Sequence, residues 1–471
     1  MKALNIKTLY LLISFLPTYL AAQEKASLTL AQCKAMSKDN NVDIKNAALD
    51  VKSAQSLKIE AFTEYFPTIS LNGFGYNAFN PLMKVGLKDL LGDSDGAQNL
   101  IDQVEATASL YGIGTTASFL DYGYNASVAL TQPVFAGRRI VNGNRLASVN
   151  QKAAFLKQST TTKEKALDVE RKYWNVVSLE EKALTVEKAL RALDTLRRDA
   201  SNACLAGLAL DTDTIKVNLE RNRLISSQCR LKSGIRLAKM DLFNAIGLEY
   251  SYISSIADTS RPFIDDILLS DRPSDLQSPE YYWTDEVGAA QGCEESRLLS
   301  LNVESARIQK KMALGEVLPQ VGVGAGYGYG RVIGDNGRWN GSVYVSVKIP
   351  LTDYWKASHK ISRLDNEFRK AENQQAYLTN QLVLQIRSLW EDLVCAYDKV
   401  FIAEQNVSLA EITESRMQNR YAAGQATVSD VLTAQTDLRS AQDELTDSRI
   451  AYINALSAYR SHTSSTACTR E

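Results

Sequence analysis

Two stretches of this 471-residue chain lack proline and are far longer than an ordinary globular helix. From Arg138 to Ala203 a single glycine, Gly143, interrupts good helix formers, and from Lys356 to Ala423 there is none. At the α-helical rise, about 65 residues make a rod of roughly 100 Å. No single compact core buries such a rod, so the chain must lay it against other long helices. The same punctuation surrounds both rods. Each follows a short β-like segment ending in Pro133 or Pro350, and each closes in a similar turn, Ala206 to Asp213 (AGLALDTD) or Ala423 to Asp430 (AGQATVSD).

The second rod carries a seam, Leu382, Ile386, Leu389, Leu393, Ala396, Val400, Ala403, Val407 and Ala410, whose alternating steps of four and three give the period of a left-handed coiled coil. The first rod has a shorter version, Val176, Leu179, Ala183, Val186, Leu190 and Leu193. Shorter amphipathic helices follow the turns, from Thr212 to about Gly247 and from Ser429 to about Ser461, near half the length of the rods they return along. Another helical pattern, Leu28 to about Phe62, precedes the first β region, and its counterpart begins near Glu286 and stops at Pro319.

Period two replaces the helical period after Pro67 and Pro319. Tyr122, Tyr124, Ala126, Val128 and Leu130 share one face of a strand, and Ile69 to Tyr76 alternates in the same way. Val321, Val323, Ala325, Tyr327 and Tyr329 alternate with five glycines, and Val343, Val345, Val347 and Ile349 alternate with Tyr344, Ser346 and Lys348. About ten residues of such alternation suit a strand of a membrane β-barrel. Four strands leave two open edges, which hydrocarbon does not tolerate, so several copies must close the barrel. The glycine row on one face suits a wide lumen. The hairpins differ in length: 66 residues separate Pro67 from Pro133, and 31 separate Pro319 from Pro350. The excess reads as a long surface loop, 80–114, with one short helix near Ala97 to Ser109.

At the N-terminus, Lys2 and Lys7 precede an apolar run, Leu9 to Leu20, ending in Ala21-Ala22-Gln23, the form of a signal peptide spanning residues 1–22. The expected organisation is a first repeat (23–250), a linker rich in proline and aspartate (251–285), a second repeat (286–462) and a tail (463–471). Lys and Arg total 53 against 54 Asp and Glu, so nucleic acid is not an expected partner. The two histidines, His359 and His462, lie far apart without cysteine or carboxylate clusters, and no phosphate loop or nucleophile elbow appears. Neither an enzyme nor a metal or other cofactor is expected. An exported chain with six cysteines meets an oxidising compartment. Cys33 and Cys293 each open the helix that leads into a β segment, so duplication would bring them to related heights as a bridge, the alternative being buried free thiols.

The duplicated order of helix, β-hairpin, very long helix, tip turn and half-length helix resembles the outer-membrane efflux protein family of TolC-like channels. GLALDTD, GQATVSDVL and QPVFAGRRI (Gln132 to Ile140) carry the resemblance along with that order. It implies a mainly α fold with transmembrane β: a homotrimer whose twelve-stranded β-barrel in outer-membrane lipid continues into a twelve-helix periplasmic α-barrel. It also implies an exit duct of a tripartite efflux or type I secretion system. An inner-membrane RND or ABC transporter and a periplasmic adaptor (membrane fusion) protein would deliver drugs, small molecules or polypeptides to the tip. Asp213, Asp430 and Tyr421 match the family's periplasmic gate, with Asp211 an added carboxylate, while Ala426 and Thr433 stand where a linking arginine and a second aspartate are expected. Ala206, Gly207, Leu208, Ala423, Gly424 and Gln425 flank the turns where an adaptor would dock, although glycine there also simply ends a helix. A trimeric coiled-coil surface fibre or adhesin is the alternative reading, and protease accessibility on intact cells separates the two.

Overall fold

The computed structural model describes residues 27–79, 83–92, 94–112, 114–119, 122–207, 210–251, 262–273, 276–331, 337–350 and 353–463. The expected signal peptide, Leu208, Cys468 and the tail beyond residue 463 lie outside them. Two compact units account for the chain, and the longest helices contribute to both.

One unit comprises residues 49–156 and 297–378. Its sheet has four antiparallel strands, β2 (Thr68–Asn77), β5 (Tyr122–Ala136), β7 (Gln320–Arg331) and β8 (Arg338–Lys348), in the order β2-β5-β7-β8. Both expected hairpins therefore join one sheet through β5 and β7, one strand from each repeat. Register assigns the two faces. Leu71, Val128 and Tyr327 share a transverse row, as do Ile69, Leu130, Ala325 and Val343, so one face is apolar along its middle. Ser70, Ala129, Gly326 and Ser342 form a row on the other face, which is small or polar. Stacked Tyr327 and Trp339 (5.4 Å between ring centres, 14° between planes) lie at one end of the apolar face.

The glycines of β7 do more than empty that second face. A Cβ at Gly324 would overlap the Tyr344 ring, and one at Gly328 would overlap Ser127 on the neighbouring strand. Glycine is thus required for ring seating and for close strand approach as well as for an open face.

The long loop is more structured than its sequence indicates. The expected helix is α4 (Asp95–Leu110), and α3 (Leu87–Leu91) precedes it. Strands β3 (Met83–Gly86) and β4 (Thr116–Phe119) pair only with each other. The main sheet holds none of its hydrogen bonds in this insert. Replacing residues 78–121 by a four-residue turn between the paired ends Asn77 and Tyr122 is expected to leave the yield of assembled protein on unheated gels unchanged.

The second unit comprises residues 1–48, 157–296 and 379–471, of which those from Ser27 to Thr463 include its described part. The rods are α5 (Arg139–Leu205) and α9 (Asp353–Ala422), each returning through a shorter helix, α6 (Asp211–Ile246) or α10 (Val428–Thr463). The predicted seam lies in the core: Ile386, Leu393, Ala396, Val400 and Ala403 are buried, as are Val176, Val186 and Leu193 of the first rod. The linker is tied to the N-terminus. Strand β1 (Ser27–Leu28) pairs in parallel with β6 (Leu268–Leu269), and the Asp271 carboxylate accepts from the Leu30 amide at 2.7 Å. Beneath them Tyr173 donates to the Leu28 carbonyl (3.1 Å) and accepts from the Asp271 amide (3.0 Å), inside a cluster that includes Cys33, Val169, Phe243 and Ile267. Buried Lys239 donates to the Ile267 carbonyl at 2.7 Å and pairs with Glu180 at 3.3 Å, which satisfies a charge that burial would otherwise penalise. The later linker packs on the second repeat, where Tyr459 accepts from the Thr284 amide at 3.1 Å.

Each helix leading into a β region is broken once. The first divides at Asn41 into α1 (Leu30–Asn40) and α2 (Val42–Thr63), and the second at Cys293 into α7 (Glu286–Gly292) and α8 (Glu294–Glu316). Asn41 and Cys293 both have extended backbone and both cap the following helix: the Asn41 side chain accepts from the Asp43 amide at 2.9 Å, the Cys293 sulfur from the Ser296 amide at 3.5 Å. Each break lies 26 residues before its proline, Pro67 or Pro319.

That equivalence corrects the proposed disulfide. Duplication relates Cys293 to Asn41, eight residues beyond Cys33, and both cysteines are buried free thiols. Burial pushes the Cys33 thiol up to about 11, with the Asp271 charge adding to the effect, and burial raises Cys293 as well. Because the thiolate is the nucleophile, iodoacetamide at pH 8 is expected to leave both unmodified in native protein and to label both after denaturation, as read by peptide mass spectrometry.

Candidate functional site: the tip of the paired helices

The two tip turns lie in the same unit, and a cluster of Leu193, Leu196, Ala200, Val217, Leu224, Val428 and Val431 packs them together. Both turns end their rods with glycine in the left-handed region, Gly207 at φ 73° and Gly424 at φ 72°. At the second tip the Gly424 amide donates to the Tyr421 carbonyl (2.9 Å) and the Gln425 amide to the Arg420 carbonyl (2.8 Å), the paired bonds of a Schellman ending. The glycines therefore have a backbone reason of their own. Ala206, Gly207, Ala423, Gly424 and Gln425 are all exposed, and Leu208 lies outside the described residues.

Residues 133–213 and 350–430 correspond with a constant offset of 217, which makes the tips comparable position by position. Asp213 then matches Asp430, yet the two do different work. At the second tip Thr427 occupies the cap. Its amide and hydroxyl both donate to Asp430 Oδ2 at 2.8 Å, and its hydroxyl accepts from the Asp430 amide at 3.3 Å, a reciprocal capping box. The Thr427 hydrogen bonds, backbone first, hold the Asp430 carboxyl below its usual range, and Arg420 adds to that.

At the first tip the equivalent cap is Leu210, which has no side-chain oxygen to offer. Asp213 is released from capping and receives Lys216 Nζ at 3.3 Å. Together with Asp199 it lines a cleft of about 880 Å³ shared with Tyr421, Thr195, Gly424 and Thr427. Burial raises the Tyr421 phenol, and the charges of Asp213 and then Asp199 push it further the same way. Of the sequence-derived gate residues, the structure brings Asp213 and Tyr421 to one cleft. Asp430 stands in its cap and Asp211 on the exposed first turn of α6. Sequence reading missed Asp199 and Thr427. The 217-residue offset would have found Thr427, by setting it against Leu210.

The difference predicts unequal stability effects. Thr427→Ala is expected to cost about 1 kcal/mol of helix stability, read as a lowered melting temperature. Asp430→Ala should lower it too, and Asp213→Ala should not. Because the Asp430 pKa is depressed in the folded state, its contribution is complete above the ordinary carboxylate range and disappears as pH falls through the lowered value.

Comparison with known proteins agrees with this architecture. Residues 298–462 match the family model "Outer membrane efflux protein". No curated protein sequence matches the chain. Among solved structures, the outer membrane protein VceC from Vibrio cholerae superposes with a TM-score of 0.70 at 16% identity, covering 92% of this chain and 96% of its own. The CmeC outer membrane channel of Campylobacter jejuni gives 0.71 at 11% identity, covering 93% and 85%. The open state of the MtrE outer membrane channel of Neisseria gonorrhoeae gives 0.65 at 12%, covering 95% and 94%. Residues 298–462 thus carry the sequence pattern of the outer membrane efflux proteins, and nearly the whole chain carries the fold of these outer membrane proteins.

Proposed function

We propose that three copies of the chain form an exit duct of a tripartite efflux or type I secretion system, passing drugs, other small molecules or polypeptides outward. One observation carries the reading: a four-stranded sheet, largely apolar on one face and largely small or polar on the other, ends in two unpaired edges, β2 and β8. Hydrocarbon requires every backbone group to be paired, and four strands are too few to close on themselves. Three sheets make a twelve-stranded barrel with the apolar face toward lipid. The rods and return helices of three copies supply twelve helical strands of a periplasmic α-barrel, with the two tip turns of each copy at its end.

Among the described residues no helix is long and apolar enough to cross a membrane. An adaptor protein would meet the exposed small residues Ala206, Gly207, Ala423 and Gly424, with an inner-membrane RND or ABC transporter behind it. Asp213, Asp199 and Tyr421, which share the cleft, would govern how the tip opens. The fibre reading lacks comparable support, because each rod is followed by a return helix packed against it rather than by continued heptads.

Purified detergent-extracted protein is expected to migrate as a trimer when unheated, to dissociate on boiling, and to conduct ions in planar bilayers. A monodisperse monomer that conducts would overturn the trimer. Large side chains at exposed Gln425, as in Gln425→Trp, are expected to impair efflux in cells without lowering trimer yield. Unchanged efflux would remove the tip from the adaptor contact.

A further inference from the structure

The small or polar face of the sheet carries aromatic rings at only three described positions, and all three stand on its two edge strands. Phe74 and Tyr76 are on β2, in register with Asn125 and Gly123; Tyr344 is on β8, in register with Gly324. The inner strands β5 and β7 give that face Gly, Ser, Ala, Thr and Asn instead. Two of the rings are seated on their own chain. A Cβ at Gly123 would overlap the Tyr76 ring, and one at Gly324 would overlap Tyr344. Phe74 lies beside Tyr76, 5.8 Å between ring centres, and remains 66% exposed, while Tyr344 remains 47% exposed.

We infer that Tyr344 of one copy meets Phe74 of the next across the β8–β2 seam, an aromatic clasp on the pore side of each of three subunit junctions. The inference rests on the trimeric barrel proposed above. Within one copy the transverse row of Tyr344 runs through Gly324 and Thr131 to Thr68. Closing a barrel shifts that row. Four strands span about 19 Å across, and a tilt of about 35–45° converts that span into a stagger of roughly four to six residues per copy. The shift must be even, because an odd one would turn apolar side chains into the pore. Its direction follows from the strand ends: one sense sets Tyr344 against residues 62–64, which precede β2, and only the other keeps both edges paired. Tyr344 then stands opposite Asn72 or Phe74 of the next copy. In the first case Phe74 is its diagonal neighbour, in the second its direct partner, and aromatic rings reach across both distances.

The seam needs such a contact. Its remaining pore-side residues near these positions, Ser70, Asn72, Ser342 and Asn340, are small and polar and contribute little packing between chains. Two rings that are 66% and 47% exposed in one copy become mutually covered in three, and the clasp adds affinity where the pore side of the seam otherwise offers only small polar side chains.

Cysteine pairing tests the inference in full-length protein with Cys204, Cys229, Cys395 and Cys468 replaced by serine. Phe74→Cys with Tyr344→Cys, treated in membranes with a short bis-maleimide, is expected to give dimers and trimers that survive boiling. Either single variant should give none, because like residues on different copies lie a third of the barrel apart. Absence of the ladder from a protein that still runs as a heat-sensitive trimer overturns the clasp and leaves the trimer standing; absence of any trimer in the unmodified parent overturns both. A second measurement holds if the cysteine pair assembles poorly. Phe74→Ala, Tyr344→Ala and the double variant are compared by the temperature at which the trimer dissociates. The clasp requires the double loss to be close to that of either single variant, and additive losses overturn it.

Discussion

Gly137→Ala is expected to destabilise the protein severely, with little or no trimer recovered at 37 °C. Gly137 ends the β5-to-α5 turn at φ 60°, and Arg138 beside it also has φ 60°. A Cβ at Gly137 would overlap the carbonyl oxygen of Gly315, and one at Gly315 would overlap the carbonyl of Gly137. Two backbones therefore cross here, the first repeat leaving its strand and the second repeat about to enter its own. Alanine would pay roughly 1–2 kcal/mol for left-handed backbone and a further 1–3 kcal/mol or so for displacing rigid main chain rather than a movable side chain. The combined loss, about 2–5 kcal/mol per chain, is a large share of ordinary folding stability. Gly143→Ala is the matching control. It lies inside α5, a Cβ there would meet only Met312 Cε at 4.0 Å, and the substitution should raise stability by about 0.5–1 kcal/mol. Thermal melting of the purified variants compares them, and equal melting temperatures would mean that the crossing is not tight.

Adjacent residues of β8 should respond oppositely to arginine. Val343 is 83% exposed on the apolar face, midway along the strand, and Ser342 faces the other side, 3.9 Å from the position of a Cβ on Gly326. If the apolar face meets lipid, Val343→Arg costs about 2–4 kcal/mol per copy near the bilayer centre, repeated three times in a trimer. Outer-membrane insertion is expected to fail, with the protein recovered in the soluble fraction or degraded. Ser342→Arg places its charge in the pore. Its trimer yield should match the parent while conductance falls and ion preference shifts toward anions, as read in planar bilayers. The reverse pattern would mean that the faces are assigned the wrong way round.

Much of this architecture was legible before any coordinates. Residues 138–203 and 356–423 had to be long helices because they hold no proline and pair with an apolar period. The observed α5 and α9 differ from those bounds by a few residues only. Period-two alternation located four strands, and the glycine turns located both tips, because these are local signals set by backbone sterics and side-chain spacing. Duplication was legible as well, since the same punctuation recurs along the chain.

What sequence left open depended on partners distant in the chain. Asn41 and Cys293 break their helices by capping: cysteine is an unusual cap, and Asn41, although a favoured cap residue, lies in a run whose apolar period continues on both sides. The bridge between Cys33 and Cys293 assumes a repeat register that the breaks correct, since Cys293 corresponds to Asn41. Asp213 and Asp430 look alike in sequence, yet one caps and the other faces a cleft, because Thr427 offers a hydroxyl where Leu210 does not. The Gly137–Gly315 crossing and the pairing of β5 with β7 join residues more than 170 positions apart. Helices, strands and turns follow from local pattern alone, because periodicity, proline and glycine act within a few residues. Which like-looking residues do unlike work follows from packing, because that sets what comes within hydrogen-bond or van der Waals reach.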